Sequence, residues 1–539
     1  GLPPSPAEVT AFVANAQPHA YEELLEKLLA SSHYGERWGR HWLDIVRFAE
    51  SAGFEHDEDR PHAFHYRDFV VKALNADMPF DQFAQWQVAG DELAPANPLA
   101  LMATGFLGAG VLPTQLTERE FERARYDELD DMVSTLGTSM LGLTVGCARC
   151  HDHKFDPIPS ADYYRLVATF TTAIRSNVQV RMDAKRPPAT VMVVSEGVKP
   201  IKHHAEGRGF PHFYPQAHFL ARGDPLQKQG VAPMGFLQVL VSGSQPAERW
   251  SVKRPADAKS SFRRAGLSKW LTDVEHGAGQ LLARVIVNRL WKHHFGRGLV
   301  ATTNDFGVQG ERPSHPELLD ALALDLIRRG WRLKELHRLM MSSSVYRQSA
   351  VDDWQDRQRD PQNRWLWHFQ PRRLEAEAIR DCILAVSGQL DRTPFGPGTL
   401  DQASRRRSIY FTIKRSKLIP MLQIFDAPEP LASTGERPAT TIAPQALLFM
   451  NDPRIRSYAL GFAQRLVENG DDPLNLIVSR AYSIALGRKA TDAEGAAAQE
   501  FLTAQTKSYQ EDSRTDATLL SVADFCQILL SLNEFIYVD

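Results

Sequence analysis

The chain has 539 residues, 43% of them hydrophobic and 24% charged, which is ordinary globular material with enough apolar content for roughly two to four domains. A formal net charge of -3, with no basic run longer than Arg405-Arg406-Arg407, supplies no cationic field for nucleic acid, so none is expected as a partner. No apolar run approaches the roughly 20 residues that cross a bilayer, and the chain is read as not membrane-spanning.

The chain opens on Gly-Leu-Pro-Pro without a charged and apolar leader, so its true N-terminus is expected to lie upstream. Ser5-Pro6-Ala7-Glu8 is a capping box that starts a helix to about Ala16, and leucines at 24, 25, 28 and 29 mark a second helix over 21–30. Over 36–51 the character changes. Arg37, His41, Asp44 and Arg47 or Phe48 recur at three- and four-residue steps, which places them on one helical face among tryptophans and aliphatic residues. Two readings follow. The face is a buried ion-pair network tied to Glu55, Asp57, Asp59, Arg67 and Asp68, or it lines a cavity, with His41 and Asp44 as candidate catalytic groups.

Helices follow at 66–75 and 81–89, then a proline-rich loop, then a long helical pattern over 118–143. Its acids Asp127, Asp130 and Asp131 form a solvated face or pair with nearby arginines; a carboxylate metal cluster is the other reading. This helix delivers the chain to Cys147-Ala-Arg-Cys150-His151, the spacing that attaches a c-type haem. Two thiols one turn apart can each form a thioether to a haem vinyl group, and the adjacent imidazole then ligates the iron. On this reading Cys147 and Cys150 bind haem c and His151 is the metal ligand. Zinc or another divalent metal on Cys147, Cys150, His151 and His153 is an alternative, as is a redox disulfide. His153, a third candidate catalytic residue beside His41 and Asp44, can also act with Asp152 and Asp156 to orient His151, and Met132, Met140, His41, His293 and His294 are distal-ligand candidates. A helix over 161–172 follows.

Several long words in the chain resemble one family. Arg37-Trp-Gly-Arg-His-Trp-Leu-Asp44, Leu143-Thr-Val-Gly-Cys-Ala-Arg-Cys-His-Asp-His-Lys-Phe-Asp-Pro157, Ala283-Arg-Val-Ile-Val-Asn-Arg-Leu-Trp291 and Asn304-Asp-Phe-Gly307 are similar to those of planctomycete-type exported proteins. These pair two domains of unknown function and are often fused to a planctomycete cytochrome c module. The resemblance covers about 1–175 and about 262–535 and implies export to the periplasm, a link to haem c, and company with polysaccharide breakdown. The chain departs from the pattern in carrying Glu50 where aspartate is expected, and in lacking the upstream module.

Over 176–260 the texture is β-rich, with strands expected at 190–194, 218–221 and 236–241 and loop histidines His203, His204, His212 and His218 that can ligate metal or stay solvated. Helical texture returns at 265–271 and 279–295, where His293 and His294 at the helix end would favour its dipole. Ser314-His-Pro-Glu317 reads as a second capping box starting a helix to Arg329, followed by helices at 333–341 and 374–386 and a strand over 408–414. Helices at 445–450, 454–468, 475–486, 493–506 and 518–532 complete the chain. Cys382 and Cys526 sit in apolar helical settings as buried thiols, with a disulfide between them as the other outcome.

The expected fold is mainly α, with two helical lobes and a small β-rich insert: an N-terminal domain 1–175, the insert 176–260 and a C-terminal domain 261–539. The expected function is a periplasmic c-type haem protein in electron transfer or haem redox chemistry, working with a redox partner or upstream cytochrome module. A metal-dependent glycan hydrolase or lyase is the first alternative, and a noncatalytic scaffold or polysaccharide-binding protein the second.

Overall fold

The computed structural model describes residues 1–539 except 118, 184, 186, 198–214, 244, 352, 468–471 and 539. The expected helix ends at Glu118 and Glu468, and His203, His204 and His212, lie outside the described residues. Helices hold 52% of the chain and the sheets are two-stranded, so the fold is mainly α. The capping box at Ser5 forms as read: Ser5 and Glu8 bond reciprocally and open the helix Pro6–Ala14. Thr491 and Glu494 do the same for Asp492–Glu511.

Two apolar cores organise the helices. The first contains Trp42, Phe69, Phe83, Met132, Met140 and Tyr163 together with Phe236 and Leu237 of the insert and Trp270, Leu290 and Met340, so it runs across positions 175 and 260. The second gathers Ile379, Cys382, Phe462, Val478, Val522 and Cys526 from 376–535. Cys382 and Cys526 are both buried free thiols within it, and burial pushes Cys382 up to about 11.

Three sequence expectations are corrected. Strands form at Ala189–Ser195, paired antiparallel with Ile174–Val180, and at His218–Leu220, paired with Lys228–Val231. The stretch 236–241 instead makes a 3-10 turn, Gln238–Leu240, because the Gln238 amide donates to Asp162 Oδ2 (2.8 Å) and is lost to any sheet. Ser408–Tyr410 is likewise a 3-10 turn rather than a strand, its Ser408 amide and hydroxyl both donating to Asp381 Oδ1 (2.7 Å each). At Pro316–Arg328 no side chain caps the helix; Ser314 Oγ meets His315 Nδ1 (3.0 Å).

What joins the N-terminal helices to the later ones is a set of buried guanidiniums. Arg264, on the helix Arg263–Thr272, is fully buried and meets both oxygens of Asp91 at 2.7 Å, with Glu92 at 3.2 Å, on the helix Phe80–Leu93. Fork-to-carboxylate geometry of this kind fixes register as well as charge. Replacing Arg264 with methionine strands Asp91 and Glu92 without their cation, and breaking a buried pair from one side costs about 3–5 kcal/mol. Urea unfolding of Arg264→Met should show a loss of that order; an unchanged midpoint would contradict it.

Candidate functional site

The helix His33–Ile45 presents two faces. Trp42 and Leu43 enter the first core, while Glu36, Arg37, Arg40, His41 and Asp44 face residues 375–437. Glu36 accepts from Arg407 Nη1 (2.8 Å) and from the Tyr410 hydroxyl (2.7 Å), and Arg407 continues to Asp381 (2.8 Å). Asp44 takes Arg40 at 2.5 Å and Arg437 at 2.7 Å, and Arg437 grips Glu377 with both terminal nitrogens (2.7 and 2.9 Å). The network therefore ties the helix to the C-terminal half rather than to 55–68. There Arg67 pairs with its neighbour Asp68, Asp59 with Lys414, and Asp57 accepts from the Gly53 and Ser416 amides.

Along this face the two halves leave a cleft of about 420 Å³, walled by Arg37, His41, Asp44, Lys292, His293, Arg372, Glu375 and Arg437 among others. That is within the roughly 300–1,000 Å³ of small-molecule sites. His41 and His293 stack with ring centroids 3.6 Å apart, and Glu375 Oε1 lies 3.5 Å from His41 Nδ1. One nitrogen from each imidazole and one Glu375 oxygen lie within 4.8 Å of one another, and among the described residues this is the one group of three or more such donors so gathered. Bonds to zinc of about 2.0–2.2 Å put tetrahedral donors roughly 3.4 Å apart, so the 3.5 Å between Glu375 Oε1 and His41 Nδ1 already fits and the other pairs must close from at most 4.8 Å.

Protonation suits a cation. Burial holds both His41 and His293 well below the usual histidine range, so each keeps a lone pair at neutral pH. Burial works to raise the Glu375 carboxyl, but the guanidiniums of Arg37 first, and of Arg437, outweigh it and keep it well below its ordinary value, hence ionised. Arg37 bonds Glu375 Oε2, which leaves Oε1 toward the imidazoles. A partner that fixes a ligand's free side is what holds such a set in place.

His293 ends the helix Gly279–Phe295, stopped by Gly296 at φ +87°. The dipole reading of His293 and His294 is corrected here. Both are neutral in the fold, His294 pushed down to about 3 by burial, and the carbonyl of His293 is served by Arg372 Nη1 (2.7 Å). Trp38 lies at the hub of four imidazoles, with centroids 4.2 Å from His337, 5.3 Å from His294, 5.4 Å from His41 and 5.9 Å from His293. His294 Nε2 meets His337 Nδ1 at 2.7 Å.

The cysteine motif lies elsewhere. Val145–Arg149 is a 3-10 turn, Cys147 and Cys150 are exposed free thiols, and His151 is exposed with Nδ1 2.7 Å from the Asp152 carbonyl. The donors of Cys147, Cys150, His151 and His153 do not gather three within 4.8 Å. His153 is a structural group: Nδ1 accepts the Asp156 amide (2.9 Å), so Nε2 carries the proton toward Thr144 Oγ1 (3.2 Å). Asp156 accepts from the Val308 amide (2.6 Å) against Gly307, where any Cβ would meet its carboxylate at 2.4 Å. Asn304, in the same turn, donates to the carbonyl of Ser433 (3.2 Å), the residue before Thr434 of the cleft wall. Asp127 and Asp130 pair with Arg149 and Asp131 with Arg47, so those acids serve arginines. Met132 and Met140 are core residues.

Of the sequence candidates, His41 and Asp44 line the cleft, although two guanidiniums already occupy Asp44. His293 is read from the sequence as a helix-dipole partner and a distal-ligand candidate, not as a member of this set, and no sequence reading singles out Glu375. An extended sequence signal for Glu375 exists only in its place one residue before the helix Ala376–Val386, as N-cap.

The fold and cleft define a helical protein whose halves share a polar site of two histidines and one carboxylate. Residues 1–175 match PSCyt2, described as a protein of unknown function (DUF1549), and residues 263–502 match PSD1, likewise described (DUF1553), so the chain pairs these two domains. No curated protein and no solved structure matches it.

The imidazoles set a pH response. Unfolded histidine titrates near about 6.5, and the cluster in the fold refuses those protons, so stability is present above that pH and falls below it, by up to ~1.4 kcal/mol per pH unit for each imidazole. The urea midpoint should drop between pH 7.5 and 5.5, and less steeply in His337→Gln. Equal slopes in both proteins would contradict the account.

Proposed function

We propose that the protein is a divalent-metal-dependent hydrolase of polysaccharide or a related polyhydroxylated substrate, with His41, His293 and Glu375 holding the ion. The observation that carries the reading is the convergence of two neutral imidazoles and one ionised carboxylate on an open cleft. Catalytic zinc sites have this form, three protein ligands with a further position left for water or substrate. When bound, such an ion polarises an ester or glycosidic oxygen and lowers the pKa of a bound water.

The chain's own residues have separate parts. Arg37 orients Glu375; Asp44, held by Arg40 and Arg437, keeps the helix His33–Ile45 against Glu377; Trp38 packs edge-on against the two ligand imidazoles. Asp44 is thus a positioning residue here.

A second reading is kept for the cysteine motif, because its two thiols are free and exposed and the His151 Nδ1 contact with a backbone carbonyl leaves Nε2 available as a ligand. On that reading Cys147 and Cys150 carry haem c with His151 on the iron, in an exported protein served by a redox partner or upstream cytochrome module. The segments around the motif are polar, with Arg149 tied to Asp127, so a porphyrin there would lie on the exterior.

The test is metal content together with activity. Purified protein should take up about one zinc or other divalent ion per chain and release reducing ends from a polysaccharide panel in a chelator-sensitive way. His293→Ala and Glu375→Gln should lose the ion and at least 10²-fold of the rate. Uptake of no ion, or activity indifferent to chelator, would overturn it. An intact-mass increase of one haem, with a cytochrome absorption spectrum, would establish the second reading.

A further inference from the structure

Charges around the cleft are mostly matched. Arg37 faces Glu375, Arg373 bonds Asp426 Oδ2 at 2.6 Å, and Arg437 serves Asp44 and Glu377. Two cations differ. Among the described residues neither Lys292 nor Arg372 has a carboxylate within 4.0 Å, and Glu436 on the rim forms no ion pair with either. Their hydrogen bonds go to carbonyl oxygens, of Gly435 from Lys292 Nζ (3.0 Å) and of His293 from Arg372 Nη1 (2.7 Å). Each carbonyl takes up one donor and leaves the others of an ammonium or guanidinium fork directed elsewhere. Both side chains are half-buried, line the same cleft, and adjoin His293: Lys292 precedes it in the chain and Arg372 bonds its carbonyl.

Half-buried cations that feel carboxylates only at a distance, Glu436 first for Lys292 and Glu375 for Arg372, and touch none of them carry a desolvation cost that an incoming anion relieves. Arg372 is further held in place, its guanidinium 5.5 Å from the Phe369 ring centroid. A neutral glycan would leave both without an anion in contact. We infer that the substrate bears an oxyanion, a carboxylate or a sulfate or phosphate ester, which Arg372 and Lys292 bind beside the His41–His293–Glu375 group. The inference rests on the cleft being the substrate site and adds the class of substrate.

Calorimetric titration of metal-stripped protein with inorganic phosphate, sulfate and acetate tests it without any turnover. Wild type should bind at least one of these, and Arg372→Gln and Lys292→Gln should each weaken binding by about tenfold or more, as expected for a lost charge-assisted hydrogen bond. A tetrahedral anion bound in preference to acetate assigns an ester group, and acetate in preference assigns a carboxylate. Lys292→Met, which keeps the aliphatic stem, serves if Arg372→Gln does not fold. Glu375→Gln separates this proposal from the metal reading: it should lose zinc while retaining the oxyanion. Wild type that binds none of the three anions, or charge-removed variants that bind as wild type does, would overturn the inference.

Discussion

Buried guanidinium–carboxylate pairs that join residues hundreds of positions apart are the constraint on which the rest of this molecule depends. Arg264 bridges to Asp91 and Glu92, Arg407 joins Glu36 to Asp381, and Arg437 joins Asp44 to Glu377. Such pairs return little net stability, since desolvation offsets much of their attraction, but a misplaced half would leave several charges buried and unanswered. They act chiefly to permit one docking of the two halves. The cleft is a consequence of that docking: the helix face that supplies Glu36, Arg40 and Asp44 to the pairs also carries Arg37 and His41 to the opening.

The same economy explains the chemical state of the site. Burial against Trp38 and the first core keeps His41 and His293 neutral, while arginines already committed to pairing keep Glu375 ionised. Neutral nitrogen beside anionic oxygen is a donor set for a borderline cation such as zinc. The long connection from Asp156 through the Asn304 turn to Ser433 shows that the cysteine-rich segment, whatever its sulfurs do, also braces the wall of the cleft.

Much of the helical layout was legible because apolar periodicity and its stop signals are local. Gly279–Phe295 matched its expected bounds, ended by Gly296, and the capping box read at Ser5 with glutamate at N3 formed. The second, at Ser314, did not, because His315 took the hydroxyl. The strands read at 236–241 and 408–414 failed for a related reason: Asp162 and Asp381 claim the backbone donors from distant positions, and period-two alternation carries no trace of that. In the site, His41 and Asp44 could be found since helical spacing places them together. Glu375 could not, since it meets them only across the docked halves, and Arg407 and Arg437 sit in irregular segments without periodicity. The motif at Cys147, Cys150 and His151 drew attention by spacing, yet spacing alone does not bring donors together in space.

The most direct measurement is an anomalous difference map at the zinc edge from crystals grown with zinc. The account predicts a single strong peak between His41, His293 and Glu375, about 2.0–2.2 Å from one donor of each. A featureless cleft, or a peak seated instead on Cys147 and Cys150, would contradict it.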